Sequence, residues 1–493
     1  MEKVVSKEVI KAQAAPIVTG TPLCVDLDGT LLQTDTLHEG ALLLLKKQPL
    51  ALLKIPIWLV RGRAALKREI TRRIEFDIAT LPVNEQFLEY LVNEHKSGRQ
   101  IILVTAADER VAQAIAGRFE IFNGLLSSDG ASNLSGEDKA AALAERFGRN
   151  QFDYAGNAPV DLPVWAAARR AIVVNAGPRT LRYAKKVATI EAVFEASPKN
   201  RIEDVWRALR VHQWSKNFLL FIPLLGAHKW NDPQKVKSVV LAFVSFSLCA
   251  SSVYVLNDLL DLTSDRRHPS KRLRGFASGK VPISTGVFIA PVLLIAAFLL
   301  AVGFLPWPFI AIFTLYYALT FSYSLRLKQI ALIDVFVLAS LYGLRILAGG
   351  FAGQVVVSDW LLVLSLFLFL SLAFVKRFTE LGSARLRNRT EIMGRGYSLG
   401  DDGGVSQMGV ASGYIAVVIL ALYITNPLVT QLYLRPMNLL LACPLLLYWI
   451  SRIWLLAGRQ ELHEDPVVFA FTDRQSWLIG LGLILVVLAS GPR

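Results

Sequence analysis

Cysteine is scarce in this chain. Cys24, Cys249 and Cys443 are the only three in 493 residues, and they lie far apart. None has a partner at metal-ligand spacing, so a disulfide framework or thiolate metal centre is not expected, and the three read as packed reduced thiols. Also missing is a leader pattern. The opening MEKVVSKEVIKAQ has no apolar core and no small-residue cleavage site, so the N-terminal part is expected to stay in the cytoplasm.

What is abundant is apolar sequence. The chain is 53% hydrophobic with a formal charge of +14, and its mean hydropathy is +0.43. That is too apolar for a soluble protein and too charged for a wholly embedded one, which predicts two domains. The expected division is an α/β domain over 1–200 and an all-α polytopic membrane domain over 201–493. Nine spans are expected, near 218–228, 238–257, 284–304, 306–322, 330–350, 359–376, 408–425, 436–455 and 476–490. The loops after the second, fourth, sixth and eighth carry Arg266 to Lys280, Arg326 and Lys328, Lys376 to Arg395, and Arg452 to Arg474. The opposite loops carry few bases, among them Lys229, Lys235 and Arg435, which matches the positive-inside rule. The expected location is the inner, cytoplasmic membrane, with the charged motifs on the cytoplasmic face.

The most informative segment is NDLLDLTSDRRHPSK, Asn257 to Lys271. Asp258, Asp261 and Asp265 stand at i, i+3 and i+7, so a helix continuing through them would place all three on one stripe. Like charges repel there unless a hard cation such as Mg2+ sits among them, with a polyphosphate completing its oxygen ligands. Arg266, Arg267, Lys271, Arg272 and Arg274 would then hold the remaining phosphate oxygens. The plainer reading is a solvated helix end whose bases set topology. Further along, Asp334 and Arg345 are eleven residues apart and are expected to share a face and pair, as substrate-binding groups or as a structural ion pair. In KRFTEL, Lys376 and Glu380 are an i, i+4 pair, which leaves Arg377 for phosphate. Lys216 in WSKN is either a lipid-phosphate ligand or a boundary anchor, and Asn257 either binds metal or ribose or caps a helix.

The spacing NDxxDxxxD at the end of a membrane segment resembles the UbiA superfamily of intramembrane prenyltransferases, over roughly Val205 to the C-terminus. DRRHPSKRLRG, YSLRLKQIALID with Arg345 beyond, KRFTEL and HEDPVVFAFTDRQS together resemble its decaprenyl-phosphate phosphoribosyltransferase branch. That resemblance implies joining a polyprenyl phosphate to C1 of phosphoribosyl diphosphate. It implies Asp258, Asp261 and Asp265 as Mg2+ ligands, and Lys271, Arg272, Lys328 and Arg345 on the diphosphate, the ribose 5-phosphate or the lipid phosphate. Asp334 lacks the acidic partner of the superfamily's usual DxxxD, which weighs against an allylic diphosphate donor.

The first domain has its own signature. PLCVDLDGTLLQTDTL reads as an apolar strand ending in Asp26-Leu27-Asp28-Gly29-Thr30, the DxDGT motif of haloacid dehalogenase-like (HAD) phosphatases, which it resembles. Thr105 in IILVTAA, Lys139 in SGEDKAAAL, and Asn157 with Asp161 in FDYAGNAPVDLPVW supply the other three motifs in order. The resemblance implies a Rossmann-like fold with a helical cap near 36–98, Asp26 as nucleophile, Asp28 as general acid, and one Mg2+ on Asp26, Asp28, Asn157 and Asp161. Asn157 stands where the family has aspartate, and Asp153 is a less well placed further acid. Residues 40–60 carry too many lysines and prolines for a span and read as a cap helix pair or an interfacial segment.

The expected function is bifunctional: phosphoribosyl transfer to a polyprenyl phosphate, then removal of the 5-phosphate by the fused phosphatase, at raised effective concentration. The alternative is prenyl transfer from a diphosphate to an aromatic acceptor beside a regulatory HAD domain. A non-catalytic scaffold would leave the intramembrane charges without purpose. The expected partners are the bilayer, the lipid phosphate and phosphoribosyl diphosphate, with no nucleic acid.

Overall fold

A computed structural model describes residues 20–130, 132–195, 201–386, 395–462 and 466–491. The chain forms two compact units, one of 1–205 with 258–286, the other of 206–257 with 287–493. The segment holding the aspartate motif therefore packs with the N-terminal residues, although it lies between two apolar helices in sequence.

In the first unit six parallel strands form a sheet of order β3-β2-β1-β4-β5-β6. They are β1 Leu23–Val25, β2 Ile101–Asp108, β3 Gly124–Ser128, β4 Asp153–Gly156, β5 Ala171–Val174 and β6 Ile190–Phe194. The inner strands read as continuous apolar runs because helices cover both faces. One face buries Leu23, Val25, Ile101 and Leu103 against Phe87 and Leu91, and the other buries Cys24, Ile102 and Tyr154 against Leu143 and Trp165. Strand order reverses beside β1, so the crevice beyond its C-terminal end is the natural ligand site of such a sheet. Between β1 and β2, where a helical cap is expected, the chain runs through helices that include Thr36–Lys47, Ile55–Val60, Arg63–Thr71 and Glu85–Lys96.

The second unit is helical. Among the described residues seven helices are long and apolar enough to cross a membrane: Pro233–Leu260, Ile283–Phe304, Trp307–Leu325, Ile333–Gly353, Asp359–Leu386, Leu399–Ile424 and Pro436–Gly458. We number these the first to seventh spans. The expected count of nine is not reached. Residues near 218–228 instead form a 3-10 stretch, Val211–Phe221, and one short turn, Ile222–Gly226. The last expected span is the 16-residue helix Arg474–Ala489. At 1.5 Å per residue such a helix covers roughly 24 Å, short of a hydrocarbon core of about 30 Å. Gly349 of the fourth span lies where an added Cβ would run into the Leu220 carbonyl, so glycine lets the 3-10 stretch lie against that helix.

Candidate functional site

Two groups of polar residues stand out, one at the crevice of the sheet and one among the membrane helices. In the crevice, Asp26 follows β1 and its amide donates to the Ala155 carbonyl at 3.0 Å, which fixes the carboxylate at the strand end. Lys139 Nζ donates to Asp26 Oδ1 at 2.6 Å and to the Tyr154 hydroxyl at 3.0 Å. Tyr154 donates in turn to Asp161 Oδ1 at 2.9 Å, and Asp161 Oδ2 accepts the amides of Asn157 and Ala158, each at 3.0 Å. Thr30 Oγ1 donates to Asp26 Oδ2 at 3.2 Å. Burial works against the Lys139 ammonium, yet the charges of Asp26 and Asp161 outweigh it and hold its proton above the ordinary lysine range. Burial, followed by the Asp26 charge, raises Asp161.

Asp28 accepts from the Thr36 amide at 2.8 Å and the Thr36 hydroxyl at 3.1 Å. Burial of its carboxyl, followed by the charge of Asp35, pushes it up to about 7, which suits a group that must keep a proton to give away. Gly29 has φ +75°, and the Asn157 amide fills the space where a Cβ would be, so glycine admits Asn157 to the motif loop. Thr105 is fully buried on β2, its hydroxyl accepting from the Ala107 amide at 3.0 Å.

Thus Asp26, Asp28, Lys139, Asn157 and Asp161 gather at one strand end. Asp161, with both oxygens committed to Tyr154 and two backbone amides, braces Lys139 and the loop. Asp153 does not belong to this site. It pairs with Leu23 at the opposite end of β1 and is neutralised by Arg169 at 2.6 Å and by Arg99. Tyr154, Thr30 and Asn175, which donates to the Gly29 carbonyl at 3.1 Å, were missed. Tyr154 lies inside the quoted fourth motif, where a tyrosine beside a carboxylate run was a readable signal.

The aspartate motif departs from the expected single stripe. The first span ends at Leu260, Asp261 stands at the N-terminus of a separate short helix, Leu262–Arg266, without a side-chain cap hydrogen bond, and the continuous helix through all three acids does not form. The break nevertheless brings Asp258 and Asp265 onto one cation: Arg274 Nη1 lies 3.2 Å from Asp258 and 2.7 Å from Asp265. Asp261 Oδ1 lies 3.4 Å from Lys46 Nζ. Arg266 is not presented to phosphate. It forms a buried ion pair with Glu39 at 2.5 Å, and Arg267 pairs with Asp77 at 2.5 Å. Lys271 and Arg272 stand exposed in a 3-10 turn.

Among the described residues no three His, Cys, Asp or Glu side chains are grouped tightly enough to hold a metal ion. Two smaller sets of oxygen donors, of the kind a hard cation takes, remain. Asp258 and Asp265 are buried carboxylates that already share one positive group, and Asp26 and Asp28 with the Asn157 amide offer oxygen donors.

Among the membrane helices, Arg345 in the fourth span donates to Asn217 Oδ1 at 2.9 Å, the Leu341 carbonyl at 2.8 Å and the Tyr316 hydroxyl at 2.7 Å. Its guanidinium lies over the rings of Tyr316 and Tyr342, 4.8 and 5.4 Å from their centroids. Asn217 donates to Ser247 Oγ at 3.0 Å, and neighbouring Lys216 lies 6.0 Å from the Tyr342 ring. Asp334 does not pair with Arg345, because eleven residues of helix separate them by roughly 16 Å. Its partner is Arg377 at 2.6 Å, with both side chains fully buried, and Tyr397 donates to Asp334 Oδ1 at 2.7 Å. Arg377 is therefore not left for phosphate. It is clamped by Asp334 and Glu380, and donates to the Tyr323 hydroxyl at 3.3 Å. Arg395 shares that hydroxyl at 2.9 Å and binds the Lys328 carbonyl at 3.2 Å, while Lys328 Nζ donates to Asn257 Oδ1 at 3.2 Å. Lys376 precedes Arg377 in the fifth span. His463 to Asp465 of the last quoted motif lie outside the described residues.

These charges, buried within apolar helices, mark a membrane enzyme rather than a passive bundle. The model of the UbiA prenyltransferase family matches residues 218–479, more than half of the chain, and the chain belongs to that family. An uncharacterized protein, y4nM, of Sinorhizobium fredii is 37% identical over 461 residues, covering 93% of this chain and 89% of its own length. Nodulation protein NoeC of Azorhizobium caulinodans is 39% identical over 281 residues, which are 56% of this chain and 90% of that protein. Decaprenyl-phosphate phosphoribosyltransferase of Mycobacterium tuberculosis is 36% identical over 196 residues, spanning 39% of this chain and 64% of that protein.

Proposed function

We propose that this protein transfers a 5-phosphoribosyl group from phosphoribosyl diphosphate to a polyprenyl phosphate, and that its N-terminal unit then removes the 5-phosphate. The observation that carries the first half is the set of fixed cations in the membrane helices, Arg345 above all, in a chain related to a phosphoribosyltransferase. A phosphate oxygen of the lipid attacks ribose C1, the bond from C1 to diphosphate breaks with its electron pair, and diphosphate leaves. The main demand is neutralising that leaving group. Asp258 and Asp265 are the residues that would hold Mg2+, while Asp261 lies against Lys46, and the ion when bound would supply charge for the departing diphosphate. Arg345 offers a guanidinium whose position is set by Asn217 and Tyr316 before substrate arrives. Lys328, Lys271 and Arg272 are proposed for the remaining phosphate oxygens, and Lys216 for the lipid phosphate. Asp334, Arg377 and Glu380 position the cytoplasmic ends of the fourth and fifth spans.

For the second half, the Asp26 carboxylate attacks phosphorus of the 5-phosphomonoester and the bond to the ribose oxygen breaks. Asp28 gives that oxygen its proton, and water then cleaves the aspartyl phosphate. Lys139 neutralises Asp26 and the transferring group. Asp26 and Asn157 would hold the Mg2+ of this site, which would shield phosphate charge from the nucleophile. We propose that both reactions take place on the cytoplasmic face of the inner membrane, where the water-soluble donor is available.

The test is to reconstitute the purified protein with Mg2+, polyprenyl phosphate and phosphoribosyl diphosphate and analyse the lipids by mass spectrometry. Polyprenyl-phospho-ribose, with and without a 5-phosphate, is expected. Consumption of a prenyl diphosphate with an aromatic acid, and none of phosphoribosyl diphosphate, would replace this reading with the prenyltransferase one.

A further inference from the structure

The cap of the N-terminal unit is apolar on two sides. Residues Pro49–Val60 form a 3-10 turn continuing into a short α-helix, the apolar segment whose role the sequence left open. Its inner side is accounted for. Ala51, Leu52, Ile55 and Trp58 pack with Leu44, Leu66 and Ile70, and Arg73 covers the Trp58 ring at 4.6 Å. Its outer side is bare: Leu50 is 78% exposed, Leu53 75% and Val60 89%, with Ile57 and Leu59 also exposed. A run of large side chains left open in this way marks an interaction surface.

Two further observations name what covers it. The first is charge. No acidic residue occurs between Glu39 and Glu69, while Lys46, Lys47, Lys54, Arg61 and Arg63 flank or interrupt the apolar run, all exposed. A bare apolar face rimmed only by bases suits an anionic lipid headgroup layer, where the apolar side chains enter the acyl boundary and the bases meet phosphate. The second is position. Lys46, one turn before the segment, donates to the carbonyl of Leu260 at 3.0 Å. Leu260 is the last residue of the helix Pro233–Leu260, so the segment is tied by a hydrogen bond to the residue that closes an apolar helix.

We propose that the face bearing Leu50, Leu53, Ile57, Leu59 and Val60 lies in the headgroup region of an anionic lipid bilayer, as a monotopic anchor of the N-terminal unit. The anchor would hold the cap, and with it the Asp26 crevice, at the surface where a lipid-linked phosphomonoester is presented. That consequence rests on the proposed phosphatase reading, whereas the anchor itself does not.

The test uses the full chain in vesicles of phosphatidylcholine and phosphatidylglycerol carrying doxyl-labelled acyl chains. Cys24 and Cys249 are buried, so Cys443→Ser leaves a background on which Leu53→Cys, Val60→Cys and Tyr183→Cys each carry one environment-sensitive fluorophore. Tyr183 is exposed in helix Pro178–Val187 of the same unit and serves as the reference. Quenching at 53 and 60 is expected to exceed that at 183 by at least about threefold, with blue-shifted emission. Quenching no greater than at 183 would overturn the proposal. Efficient energy transfer between labels at position 53 of two copies, without lipid quenching, would also overturn it and assign the face to a second copy. Neither readout depends on catalysis, so failure of the anchor and failure of the proposed activity are separately visible.

Discussion

Arg345 is the residue on which the transferase reading depends most. A guanidinium inside a membrane helix is costly, and here it is held by an amide oxygen, a backbone carbonyl and a phenol at once. Arg345→Ala should lower transfer by on the order of 100-fold, the scale for loss of a preorganised donor at a charged leaving group. Arg345→Lys should rescue little, because one ammonium cannot reproduce the planar fork. Rates measured with saturating polyprenyl phosphate check this, and full activity of the lysine variant would contradict it. In the crevice, Asp26→Asn should lower phosphomonoester hydrolysis by on the order of 10⁴-fold while the membrane helices stay folded. Tyr154→Phe should cost less, about tenfold, since it removes the link between Lys139 and Asp161 but leaves the nucleophile. Hydrolysis of a soluble phosphomonoester by the purified chain reads both.

Among elements, the segment from Asp258 to Gly286 behaves differently from its spelling. Its bases suggest phosphate ligands, yet Arg266 is buried against Glu39. Breaking such a pair leaves a lone buried charge and costs roughly 3–5 kcal/mol. Arg266→Ala should therefore lower the thermal midpoint, with little change in KM for phosphoribosyl diphosphate when assayed at low temperature. A raised KM with unchanged stability would restore the phosphate-binding role. The same segment constrains topology. The first span, Pro233–Leu260, lies between it and Trp230, and one crossing would put the two on opposite faces of the membrane. A thiol placed at Trp230 should react with an impermeant maleimide only from the face opposite to one placed at Arg272, and labelling from the same face would contradict this.

At the scale of the molecule, much of the architecture was legible. Asp26, Lys139 and Asp161 were legible as a set because the DxDGT spelling ends an apolar strand and the later segments fall at strand and loop distances of such a sheet. The membrane helices were legible because about 20 apolar residues have few other uses. Asn217, Tyr316, Tyr323 and Tyr397 were not, since each is one polar residue whose role exists only where helices meet. Arg377 was misread for the same reason: its partner Asp334 lies 43 positions earlier, and no local spacing links them. The break at Asp261 was only weakly legible, since Asp, Thr and Ser in LLDLTSD are poor helix formers but no Gly or Pro marks the stop. The account's central claim is a sugar phosphate first joined to a lipid phosphate and then dephosphorylated in one chain. The most direct measurement is the ratio of 5-phosphorylated to dephosphorylated polyprenyl-phospho-ribose made by the native protein and by Asp26→Asn from phosphoribosyl diphosphate. The account predicts mostly the dephosphorylated lipid from the native chain and almost only the phosphorylated one from Asp26→Asn, at similar total transfer. Equal ratios, with the native chain yielding only the phosphorylated lipid, would contradict it.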